Sequence, residues 1–70
     1  MQVTKENENL VRVFIRILND KKVPRDAIRY VIAALQTEEQ MDNLVDFIKN
    51  NENATEREIL EEADRLINKD

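Results

Sequence analysis

The side chains of this sequence that could do chemistry are few in kind. There are carboxylate pairs four residues apart (Glu38 with Asp42, Glu58 with Glu62), two arginine pairs at the same spacing (Arg12 with Arg16, Arg25 with Arg29), three threonines and Tyr30. A spacing of four sets both members of a pair on one face of a helix. Paired acids in that position can work as general acid and base, and paired arginines can meet a polyanion.

What is missing narrows the choice. The chain has no Gly, Ser, His, Cys or Trp. Acid–base work near neutral pH usually recruits His, and nucleophilic work usually recruits Ser or Cys beside a base. A helical dinuclear carboxylate site wants Glu-x-x-His on facing helices, a calcium loop wants a Gly at its sharp turn, and a phosphate-cradling loop is built on glycines. None of these can be assembled here, so the expectation is a protein with no catalytic residues, no metal and no cofactor. The acid pairs read as solvated neighbours on helix surfaces, and Tyr30 as a residue packed at the core's edge with its hydroxyl in water.

Each threonine, Thr4, Thr37 and Thr55, stands just before a stretch with helical apolar spacing, which reads as helix capping. Thr55-Glu56-Arg57-Glu58 and Thr37-x-x-Gln40 have the form of capping boxes. Four helices are predicted, near residues 5–20, 24–36, 38–49 and 56–68, in an all-α compact four-helix domain that takes in residues 1–70 as one unit. Nothing alternates with period two, and no internal repeat is evident. The break between the second and third helices is placed at Thr37, because a continuous helix would rotate the apolar stripe by roughly a quarter turn from Met41 onward. Asn50-Asn51-Glu52-Asn53 reads as a loop, with Asn taking Gly's place where a helix ends in a left-handed residue. Glu61 and Arg65 form an i, i+4 pair in the favourable order.

The predicted core is Phe14, Ile17, Ile28, Val31, Leu35, Leu44, Ile48, Ile59, Ala63 and Leu66. In the first helix Leu10, Val13, Phe14, Ile17 and Leu18 share a face, and Val11 with Ile15 widens it to an arc of about 200°. One neighbouring helix cannot cover such an arc. Either the first helix packs against two neighbours at once, or an edge holding Val11 and Ile15 stays open for another chain.

Charge divides the chain unevenly. Through Gln36 seven basic residues stand against four acidic, a net of +3; from Thr37 on, four stand against eleven, a net of −7, which together make the overall −4. The halves can attract each other inside the fold or face different partners. The opening, MQVTKENENL, lacks the charged-then-apolar pattern of a secretory leader, and no apolar run approaches bilayer-spanning length, so a cytoplasmic protein with no membrane contact is expected.

Two functions survive. The favoured one is a small protein-interaction or regulatory module that binds through Val11, Ile15, Arg12 and Arg16 at the edge of the first helix, through the acidic C-terminal half, or through both. Its partner is another protein, or a second copy in a homodimer. The alternative is a nucleic-acid-binding protein using Arg12, Arg16, Arg25 and Arg29 as a basic strip, a partner disfavoured by the net negative charge and by the acids on the third helix.

Overall fold

The computed structural model describes residues 1–68. Four helices are found among them: α1 (Glu8–Asp20), α2 (Arg25–Ala34), α3 (Glu38–Asn50) and α4 (Glu56–Ile67). Helix α1 packs on α2 and α3, and α4 packs on α3 and α2, whereas α1 and α4, like α2 and α3, do not meet. The fold is therefore two helical hairpins, α1–α2 and α3–α4, stacked through their apolar faces. A radius of gyration of 11.0 Å equals the roughly 11 Å expected of a compact chain this long.

Two starts follow the sequence reading. Thr37 Oγ1 accepts from the N–H of Gln40 (3.1 Å), while Gln40 Oε1 accepts from the N–H groups of Gln36 (2.7 Å) and Thr37 (3.3 Å). Thr55 and Glu58 make the corresponding box at α4, at 3.2 and 3.0 Å. At the first of these, Leu35 turns extended and plunges into the core, so the chain leaves α2 without Gly or Pro.

The first helix begins later than predicted, and Thr4 does not cap it. Asn7 stands at the N-cap, and its side chain turns back instead. Asn7 Oδ1 accepts from the N–H of Thr4 (2.8 Å) and Asn7 Nδ2 donates to the carbonyl of Gln2 (3.0 Å). An Asn side chain competes for nearby backbone in this way, and here it is itself buried while it ties down the N-terminal segment. The Met1 ammonium donates to the carbonyl oxygens of Ile32 and Ala33 at the end of α2, groups that the helix leaves unpaired.

The end of α1 supplies the other departure. No Asn takes a left-handed conformation; the one positive φ among the described residues belongs to Lys22, at 62°. The N–H of Lys22 donates to the Asn19 carbonyl (2.9 Å) and that of Val23 to the Leu18 carbonyl (3.0 Å), the double closure that ends a helix with a hydrophobic residue folded back. Val23 is that residue, and it is buried. At the end of α3, Asn51 works through its side chain, donating from Nδ2 to the Phe47 carbonyl (2.8 Å).

The core holds Val11, Phe14, Leu18, Val23, Ile28, Val31, Leu35, Met41, Leu44, Val45, Ile48, Ile59, Ala63 and Leu66. Ile17, expected there, is only half-buried, and Val13 is 47% exposed. Counting Val13 and Ile17 with the core stripe placed its centre too far from Val11; the buried side of α1 runs through Val11, Phe14 and Leu18.

Candidate functional site

The carboxylate pairs prove to be occupied or solvated. Glu58 Oε1 accepts from the N–H and Oγ1 of Thr55, so its part is structural. Arg65 forks onto Glu62 (2.9 and 2.6 Å), and Arg57 takes Glu61 (2.9 Å); the expected Glu61–Arg65 pair is thus replaced by two others. The hydrogen bond to Glu62, and then that carboxylate's charge, push the Arg65 guanidinium further up from its ordinary value, leaving it a fixed cation. Glu38 and Asp42 stand exposed on α3. Among the described residues no three acidic, His or Cys side chains converge as a metal site would, and no buried polar side-chain atom lacks a partner.

The larger of two depressions, about 780 Å³, lies open at the α3–α4 turn and is lined by Lys49, Asn50, Asn51, Glu52, Asn53, Ala54 and Glu58. It is an exposed turn with no apolar floor, and the acid on its wall already serves the α4 cap. The smaller, about 270 Å³, has a different character. It runs between α1 and α2, lined by Ile15 and Asn19 on one side and by Arg25, Ile28, Arg29 and Ile32 on the other. Its floor is aliphatic and its rim on α2 is cationic.

Both walls carry the same local pattern. Arg12-Val13-Phe14-Ile15-Arg16 and Arg25-Asp26-Ala27-Ile28-Arg29 each read Arg-x-x-Ile-Arg. At about 100° per residue the two arginines of each set fall about 60° and 100° round the helix from its isoleucine, on the solvent side. Asp20 and Asp26 fall further away, at about 140° and 160° from the same isoleucines. All four arginines are exposed, and among the described residues none of them pairs with a carboxylate. The ion pairs found, Arg57–Glu61 and Arg65–Glu62, both lie inside α4. The basic and acidic halves therefore meet through apolar packing, and among the described residues Lys21 Nζ ties their turns together by donating to the Glu52 carbonyl.

The residues singled out from the sequence are thus divided. Val11 is not at an open edge: it is buried, because α1 is covered on both sides by α2 and α3. Ile15 is half-buried and faces the groove, with Arg12 and Arg16 beyond it. Arg25 and Arg29 belong to the same groove as Ile15, which brings the protein-contact and basic-strip candidates onto one face. Sequence reading missed Asn19, Ile28 and Ile32 as groove residues. The repeated pentapeptide was the signal for Ile28, since it sets that residue in the register of Ile15. Tyr30 is more exposed than expected, at 61%, lying about 200° round α2 from Ile28. No helix among the described residues is long and apolar enough to cross a membrane. No family model, curated protein or solved structure matches the chain.

Proposed function

We propose that this chain is a non-catalytic protein-interaction module of the cytoplasm whose contact face is the α1–α2 groove. The observation that carries the reading is an open channel with an aliphatic floor and a rim of Arg25 and Arg29, neither of which forms an ion pair among the described residues. At about 270 Å³ it lies below the roughly 300–1,000 Å³ usual for small-molecule pockets, a size suited to one or two side chains of a partner. The acidic hairpin is the weaker candidate face: the large apolar side chains left exposed, Val3, Val13 and Tyr30, all belong to the first half of the chain. Lacking cysteine, such a module would be indifferent to a reducing cytoplasm.

A second copy is a poorer fit to this face than a different chain. A two-fold axis at Ile15 would gather the arginines of both copies around one contact, and like charges so placed oppose association. A photo-crosslinking side chain at Asn19, compared with one at the exposed Glu39 on α3, tests the reading in extracts of the source organism. Discrete protein adducts at Asn19 that vanish in Ile15→Glu are expected. Equal labelling at both positions overturns it.

Nucleic-acid binding stays as a second reading because Arg12, Arg16, Arg25 and Arg29 are exposed on adjacent helices and form no ion pair among the described residues. The net charge of −4 opposes it. Titration with duplex DNA and single-stranded RNA at low salt checks it: a true site weakens steeply with salt and again in the Arg12→Ala, Arg16→Ala double variant. No binding at micromolar concentration retires this reading.

A further inference from the structure

We infer that the occupant of the α1–α2 groove is an acidic amphipathic helix of another protein, with an aliphatic stripe flanked on both sides by carboxylates. The inference rests on the groove being a protein-binding face, and adds what binds there.

The geometry constrains the ligand in three ways. The floor is formed by the aliphatic side chains of Ile15, Ile28 and Ile32, with Asn19 and the arginines at its edge, so it favours an apolar group at its centre. The α2 wall carries Arg25 and Arg29 at positions i and i+4, and Arg12 and Arg16 repeat that spacing on the exposed side of α1 beyond Ile15, so the cations of each pair are set about 6 Å apart along their helix at 1.5 Å per residue. Carboxylates at i and i+4 of a partner helix repeat at the same 6 Å, so two charge-assisted contacts form in register with Arg25 and Arg29 without either helix bending, and a second carboxylate pair on the partner's other flank matches the spacing of Arg12 and Arg16. An extended strand advances about 6.6 to 6.8 Å for every two residues and would bring every second side chain to the same wall; it would match the spacing but would leave its edge hydrogen bonds unmet, since no sheet edge exists among the described residues. A helix satisfies its own backbone, and an amphipathic one laid in an apolar groove is an established mode of recognition.

Polarity follows from the charges of this chain. The charged residues that line the groove itself are Arg25 and Arg29, and no carboxylate lines it, so a basic helix seated there would meet like charge first. An acidic helix meets the cations of Arg25 and Arg29. A phosphate backbone would satisfy the arginines but leave the isoleucine floor facing water or polar sugar, which is why the apolar stripe is the distinguishing requirement.

The test uses a fluorescein-labelled synthetic helix of sixteen residues, with three leucines on one face and two glutamate pairs at i, i+4 beside them. Its counterparts carry Gln for every Glu, or Ala for every Leu. Fluorescence anisotropy with the full chain should give micromolar to submillimolar binding to the parent peptide that weakens as salt rises past the screening range. Arg25→Gln with Arg29→Gln, and separately Arg12→Gln with Arg16→Gln, should each weaken it about tenfold, with the helical circular dichroism of both variants unchanged because these residues are exposed. Either substituted peptide should also lose at least tenfold. The inference is overturned by no binding of the parent peptide, by equal binding of the Ala-for-Leu peptide, or by duplex DNA binding more tightly than the parent peptide. If the peptide fails while Asn19 crosslinks that vanish in Ile15→Glu persist in extracts, the groove is a binding face for another chemistry; loss of both removes the groove reading itself.

Discussion

Replacing Lys22 by Gly should stabilise the protein, although it removes a cation from the end of a helix. Lys22 holds φ at 62°, the left-handed region, and does so to let Val23 fold back onto α1. That conformation costs an L-residue roughly 1–2 kcal/mol, a penalty glycine escapes. Against this, glycine adds freedom to the unfolded chain, worth about 0.4–1 kcal/mol, and loss of the charge near the helix C-terminus costs about 0.3 kcal/mol at an exposed site. The balance is a gain of about 0.5 kcal/mol, which for a domain this small raises Tm by about 2–4 °C. Lys22→Ala loses the same charge and keeps the left-handed penalty, so the difference between the Gly and Ala variants isolates φ and should be about 0.5–1 kcal/mol. Lys22→Val should fall below both, since a β-branched residue tolerates positive φ worst. Urea melts read at constant m-value supply the numbers. A Gly variant no more stable than the Ala variant would refute the reasoning, for it would mean that the closing turn is not held left-handed in solution.

Thr55→Ala should cost about 1 kcal/mol in the same melts through loss of the α4 capping box, and neutrality would place the helix start elsewhere. Ile28→Ala or Val31→Ala should cost about 2–4 kcal/mol, since both side chains are buried where α2 meets its neighbours; less than about 1 kcal/mol would show that α2 is not central. Asn7→Ala removes two side-chain hydrogen bonds and should cost about 1–2 kcal/mol, with faster amide exchange at Thr4 as its local signature. Alone at high concentration the chain should sediment as a monomer, and a dimer dissolved by Ile15→Glu would instead favour the two-fold contact.

Much of the fold was legible because its strongest signals are local. The two capping boxes fix the starts of α3 and α4 through side chains within four residues of each other, and spacing alone identifies the second, third and fourth stripes. The start of α1 was not legible, because Asn7 had two competing uses and tertiary burial selected the backward one. The left-handed residue was misplaced for a related reason. Asn tolerates that conformation best, yet the turn after α1 is governed by the burial of Val23, and Lys22 takes whatever angle achieves it. At the candidate site, the wide arc of α1 was visible but its meaning was not: two neighbours cover Val11 while leaving Ile15 in a groove, a distinction that depends on which helices touch.

The boundary between basic and acidic halves falls at Thr37, where the first hairpin ends and the second begins. Because the hairpins join through apolar residues and the ion pairs among described residues stay within α4, the charges of the α1–α2 rim contribute little to holding the fold together. Exposed ion pairs are in any case worth only about 0–1 kcal/mol. Arg12, Arg16, Arg25 and Arg29 form no ion pair among the described residues, and Glu8, Asp20 and Asp26 within a turn of them only partly offset their mutual repulsion. Stability alone gives no reason for them to be arginine, nor for the same Arg-x-x-Ile-Arg order to recur on both walls of one groove. On the proposal made above, an external anion with its own apolar group would supply that reason, and arginine substitutions there are diagnostic, since they should abolish binding while leaving the melt unchanged.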